Sequence, residues 1–139
     1  MRTEVVEART AHCKMLARAM DEEGREFIRR HWGIEPLDGL LEALDNSPLC
    51  WSIFVDGRIA GMFGCNEDGQ AWLTTAPDIE RAKLRFIRQS RPYVEKMKER
   101  YGSLFSYAHK DNAPLLAWLE WAGFERVSRM GEFEICVCR

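Results

Sequence analysis

The sequence predicts a single α/β domain of the α+β kind, residues 1–139, with a central mixed but mostly antiparallel sheet flanked by helices. Three observations carry this prediction. Apolar residues recur at helical spacing through the first third of the chain, then switch to the two-residue period of strands. Asp56-Gly57 falls between two β-prone runs, the strongest short-range hairpin signal. A chain of 139 residues, 46% hydrophobic and 30% charged, has the size and composition of one globular core without disulfides or metals.

Val5–Ala8 is a short β-prone stretch. Cys13, Leu16, Ala17 and Met20 then repeat at helical spacing. A second helical segment covers Arg25–His31 and stops near Gly33; a third covers Pro36–Leu44, with Leu37, Leu40, Leu41 and Leu44 as its stripe. Trp51–Val55, Arg58–Cys65 and Gln70–Thr75 form a three-strand meander punctuated by Asp56-Gly57 and Asn66-Glu67-Asp68-Gly69. Ala76-Pro77-Asp78 opens a basic helical segment with Leu84, Ile87, Val94 and Met97 as inward positions. Pro92 interrupts it, by a kink or by a second helix starting near Ser90, because an interior proline removes a hydrogen bond and clashes one turn back. Gly102 ends it. Leu104–Ala108 is a strand, Asn112–Ala122 a helix closed by Gly123, and Phe124–Met130 and Phe133–Cys138 the last two strands.

Twenty Lys and Arg against 22 Asp and Glu give a net charge of −2, so nothing drives the whole chain toward nucleic acid or a membrane surface. The basic residues cluster in Arg81–Arg100, which reads first as a solvated helix face. The N-terminus lacks an apolar signal core, and no apolar run is long enough to span a bilayer. The five cysteines are scattered and odd in number, which fits a reducing cytoplasm with the thiols packed as small apolar groups. Cys136-x-Cys138 lacks a second ligand pair, so no metal is expected there.

The segment Asn112-Ala-Pro-Leu-Leu-Ala-Trp-Leu-Glu-Trp-Ala-Gly123-Phe124, together with the element order, resembles the GNAT (Gcn5-related N-acetyltransferase) superfamily. In that family an Asn begins a helix beside the pantetheine arm and a Gly-Phe pair opens the next strand. Local chemistry fits this spacing: Asn112 is a good N-cap and Gly123 suits the left-handed closing position. Gly69–Thr75, Tyr93–Tyr101 and Leu104–Val137 are also similar to a small virion-morphogenesis family of short-tailed podophages, itself GNAT-like and associated with assembly of internal core proteins.

The GNAT resemblance implies an acetyl-CoA site with a glycine-rich phosphate loop before the long helix. The corresponding stretch, Ala76–Arg85, holds no glycine. Arg81, Lys83 and Arg85 are the candidates to bind the phosphates with side-chain cations instead, with Asn112 beside the pantetheine arm. Where many of the enzymes place a thiolate-protonating tyrosine this chain has Leu119, as does the podophage family, and leucine donates no proton. Replacement catalytic candidates are His109 at the end of its strand, Tyr107 on the same face two residues earlier, and Glu67 with Asp68 in the preceding turn. His12 and His31 receive no role.

The sequence therefore carries two expectations. The first is a catalytically degenerate GNAT-fold phage or prophage protein, working through contacts with virion internal proteins in the host cytoplasm. The second is a divergent N-acyltransferase using acetyl-CoA on an amine. Either is compatible with a homodimer through the apolar run Phe133–Cys138, and any exposed tryptophan among Trp32, Trp51, Trp72, Trp118 and Trp121 would suit a protein interface.

Overall fold

A computed structural model describes residues 1–139. The elements run β1 (Thr3–Glu7), α1 (Thr10–Ala19), α2 (Glu22–Trp32), α3 (Pro36–Asp45), β2 (Leu49–Val55), β3 (Arg58–Cys65), β4 (Ala71–Thr75), α4 (Ile79–Gln89), α5 (Arg91–Tyr101), β5 (Leu104–His109), α6 (Ala113–Trp121), β6 (Glu125–Met130) and β7 (Phe133–Cys138). This is the mixed α/β architecture that the sequence predicts.

The strands divide into two antiparallel sheets, β1-β2-β3-β4 and β5-β7-β6. Asp56 and Gly57 both take positive φ, 50° and 81°, which matches the two-residue hairpin turn that follows the natural strand twist. One parallel bridge, Gln70 to Phe105, joins the sheets at their facing edges. Beyond it β4 and β5 diverge. The expected single central sheet is thus split, and the split is what makes room for a site.

Pro92 resolves as a helix start. Ser90 separates α4 from α5 and the proline falls in the first turn, where its missing N–H costs nothing. One inward assignment fails: Leu84 is 72% exposed, while Ala82, Phe86 and Ile87 face the core. The charged residues on both sides of Leu84 left its side ambiguous in the one-dimensional pattern. In the second sheet β7 pairs with β5 on one edge and β6 on the other, so the free edge is β6, all six of whose residues are exposed.

Two buried clusters fill the faces. The larger joins β2–β5 and β7 to α4, α5 and α6 around Phe63, Phe86, Met97 and Trp118; the smaller packs α1 and α3 on Cys50, Ile59 and Met62. All five cysteines are free and buried. Burial pushes the Cys50 thiol up to about 12 and Cys65 up to about 11, so these two pack as inert apolar groups. Strand β3 packs too closely for a side chain at Gly64, where an added Cβ would lie 2.5 Å from the Leu49 carbonyl oxygen. Gly64→Ala is expected to lower stability by about 2 kcal/mol through overpacking, readable in a urea melt.

Candidate active site

The cleft forms because two edge strands face each other without pairing. Backbone bonds Asn66 to Gln70 and Ala76 to Ala60 fix which residues of β4 pair with β3. Antiparallel alternation then turns the N–H and C=O of Ala71, Leu73 and Thr75 away from β3, toward β5. On β5, the bond from Lys110 N–H to the Glu132 carbonyl sets the same alternation, turning the Tyr107 backbone toward β4. Near the bridge these groups are satisfied: Phe105 N–H donates to the Gly69 carbonyl at 3.0 Å and Ser106 Oγ to the Ala71 carbonyl at 2.8 Å. Farther along, the backbones of Leu73, Thr75 and Tyr107 face an open cavity of about 620 Å³. A second space of about 390 Å³ adjoins it under α2 and α3, sharing Ile28, Trp32, Trp72 and Thr74.

The lining is aromatic and acidic. Phe27, Trp32, Trp72, Tyr107 and Phe133 supply rings, and Asp21, Glu23, Glu80 and Asp111 supply carboxylates; no Lys or Arg takes part. Of the residues singled out from sequence, Tyr107, His109 and Asn112 come together here. Asn112 also caps α6, accepting from Leu115 N–H at 3.3 Å. Glu67 is exposed in the β3–β4 turn, outside the cavity.

The three basic candidates lie elsewhere. Arg81 pairs with Asp56 at 2.8 Å, Arg85 donates to the Met1 carbonyl, and neither these two nor Lys83 lines the cavity. The helix periodicity explains the misplacement. Arg81 and Arg85 stand four apart on one face of α4, the face over the β2–β3 hairpin and the N-terminus. At the α4 N-terminus the N–H groups of Ile79, Glu80 and Arg81 are already spent on the carbonyls of Ala76, Pro77 and Asp78. The Asp78 carboxylate is paired with Arg58 at 3.0 Å.

His109 is 4% exposed and fully engaged. Asp111 N–H donates to its Nδ1 at 3.1 Å, so the neutral ring carries its proton on Nε2, which donates to Glu132 Oε2 at 3.2 Å. The His109 bond, with Lys110 beside it, holds the Glu132 carboxyl below the usual carboxylate range. Neither ring nitrogen offers a lone pair to the cleft, so His109 is not poised as a general base. Tyr107 is half-buried and its hydroxyl makes no hydrogen bond within the protein. Leu119 is buried in the core at 1% exposure and lies outside the cleft lining.

Two histidines left unassigned by sequence acquire contacts. His12 Nδ1 bonds Ser52 Oγ at 2.8 Å and receives Arg9 N–H, a structural role. His31, in the last turn of α2, stacks on His109 with ring centroids 4.5 Å apart. Nothing local to residues 25–31 signals that contact, because its partner lies far along the chain.

No protein-family model matches the chain, and no curated protein sequence does. Solved structures do match over nearly its whole length. The PaiA N-acetyltransferase of Thermoplasma acidophilum, in complex with coenzyme A, is 17% identical with a TM-score of 0.69, covering 99% of this chain and 98% of that one. A GNAT-family acetyltransferase from Bacillus anthracis is 8% identical with a TM-score of 0.66, covering 99% and 95%. The aminoglycoside acetyltransferase AAC(6')-Ib, in complex with coenzyme A, is 15% identical with a TM-score of 0.64, covering 99% and 94%. At such identities the likeness is one of architecture, and it agrees with the element order and the diverging β4 and β5: this chain has a GNAT-like fold.

Proposed function

We propose that the chain is a divergent acyl-CoA-dependent N-acyltransferase that uses the β4–β5 cleft. The observation that carries this reading is the pair of unpaired strand edges at Leu73, Thr75 and Tyr107 facing the cavity of about 620 Å³. A pantetheine arm carries two amides on an extended chain, so it can enter as a short pseudo-strand and satisfy those edges. The acceptor amine would approach from the α2 side, where rings and carboxylates suit a cation and no Lys or Arg repels one. The bound ammonium first loses a proton to solvent, and the neutral nitrogen then attacks the thioester carbon. The C–N bond forms and the C–S bond breaks, the departing thiolate takes a proton to become the free thiol, and the proton that the nitrogen sheds on becoming an amide restores the donor. Tyr107 is the lining phenol available to protonate the thiolate.

The pyrophosphate end departs from this plan. It offers no lining cation, and Glu80 stands there instead. The reading therefore expects the pantetheine arm to carry most of the affinity. In isothermal titration calorimetry, acetyl-CoA is expected to bind at micromolar to sub-millimolar Kd, with acetyl-pantetheine within about tenfold of it, a difference of about 1.4 kcal/mol. Arg81→Ala should leave both affinities unchanged. No binding at millimolar ligand would sink the proposal.

That negative result would favour the second reading, a GNAT-fold protein acting through protein contacts, as in assembly of virion internal proteins. The observations that favour it are the cation-free cleft, the buried Leu119, and Trp32 and Trp121 at 53% and 39% exposure.

A further inference from the structure

The geometry points to a divalent transition-metal site of the zinc class formed by His31, His109 and Glu132. The three residues come from three separate elements: the last turn of α2, the end of β5 and the β6–β7 turn. Their ligand atoms all lie within 4.8 Å of one another. This inference is independent of acyl transfer and stands on side-chain chemistry alone.

Two imidazoles and one carboxylate are a ligand set that zinc accepts, with a fourth position left for water. At Zn–N and Zn–O lengths near 2.0–2.1 Å, tetrahedral ligand atoms sit about 3.3 Å apart. The His109 to Glu132 separation, 3.2 Å, is already at that spacing. Only His31 must close in, and it is free to do so: it makes no hydrogen bond, and it is half-buried against rings rather than locked in a polar network. An unpaired imidazole over a His–Glu pair is otherwise without a polar partner.

The surroundings favour a held ion. Phe27 and Phe133 pack edge-on against His109, and Phe133 also against His31, so the imidazole side of the site is apolar while Glu132 stays open to water. Asp111 supplies an outer carboxylate, its Oδ2 lying 3.9 Å from His109 Nδ1. Metal binding at Nε2 displaces that proton, and the neutral ring then carries its hydrogen on Nδ1, toward the Asp111 carboxylate. This is the carboxylate–histidine–metal arrangement that orients a ligand ring. Two local bonds must give way. Asp111 N–H releases Nδ1, and Lys110, now 3.6 Å from Glu132 Oε1, swings into solvent, where its side chain is already 46% exposed. An occupied site would pin the C-terminal end of α2 to the β5–β7 end of the second sheet.

The test uses untagged full-length protein, stripped with a chelator and titrated with ZnCl₂ by calorimetry and with CoCl₂ by visible absorption. One equivalent is expected to bind, with cobalt showing tetrahedral d–d bands and no thiolate charge-transfer band. His31→Gln and Glu132→Gln should each weaken binding at least about tenfold. At one zinc concentration the melting temperature of the parent protein should rise clearly more than that of either variant, which separates ligand loss from misfolding because the metal-free melts are compared directly. The inference is overturned by no binding at millimolar metal, by binding that both variants retain, or by a thiolate band that puts the metal on the cysteines.

Discussion

Trp118→Ala is expected to cost about 3–5 kcal/mol of folding stability, the largest single loss available in this core. Trp118 is 0% exposed and stands where α6 meets both α4 and the first sheet. Its ring lies 5.7 Å from Phe63 and 6.5 Å from Phe86, so truncation leaves a cavity bounded by two other aromatics that cannot both collapse inward. Its Nε1 donates to Ser90 Oγ at 3.0 Å, and Ser90 Oγ donates in turn to the Ile87 carbonyl at 2.8 Å. That chain of bonds fixes the α4–α5 junction, where Pro92 prevents a continuous helix. Trp118→Phe should cost clearly less, since Ser90 keeps its bond to Ile87 and most of the packing volume stays filled. Urea denaturation of both variants checks this. A loss below about 1 kcal/mol for alanine would mean that α6 is not integral to the core.

The elements of this fold were largely legible in the sequence because each announces itself locally. Asp56-Gly57, Gly33 and Gly102 carry the backbone conformations that turns and helix ends require, and all four residues take positive φ. Asn112 caps as its side-chain chemistry dictates. Pro92 announces an interruption, and of the two forms open to it, a kink or a new helix near Ser90, the chain takes the second. The failures are all questions of facing. Leu84 is apolar and exposed, whereas Arg81 and Arg85, read as phosphate ligands, tie α4 to Asp56 and Met1 instead.

The site was legible only in part, for the same reason. Tyr107, His109 and Asn112 sit on elements whose order places them together, so a family-level topology sufficed to find them. What His109 does is set by Glu132 and His31, 23 residues after it and 78 before it, and no local pattern encodes those contacts. The split between β4 and β5 is likewise invisible in either strand alone. Each reads as an ordinary strand; the cleft exists because the connection between them runs through α4 and α5 and leaves two edges unpaired.

Tyr107→Phe is the functional substitution with the largest expected effect, lowering kcat by about 10²- to 10⁴-fold, equivalent to about 3–5 kcal/mol of barrier. The argument follows from what else could protonate a departing thiolate. Leu119 is apolar and 1% exposed. His109 directs Nε2–H to Glu132 and accepts at Nδ1, so its proton points away from the cleft. Thr74, Thr75 and Ser106 offer hydroxyls to the lining, but an alcohol is a far weaker acid than a phenol, and Ser106 is already bonded to the Ala71 carbonyl. Tyr107 alone combines a phenolic hydroxyl with a place on the wall where β4 and β5 diverge. Removing one oxygen from a half-buried side chain should leave acetyl-CoA affinity within about twofold, so the loss should appear in kcat while KM stays put. Thiol release from acetyl-CoA, followed across a panel of linear diamines and aromatic amines chosen for the acidic, ring-lined acceptor side, measures it. If Tyr107→Phe turns over at the parent rate, the leaving thiolate is protonated by solvent, and the cleft contributes binding and orientation alone.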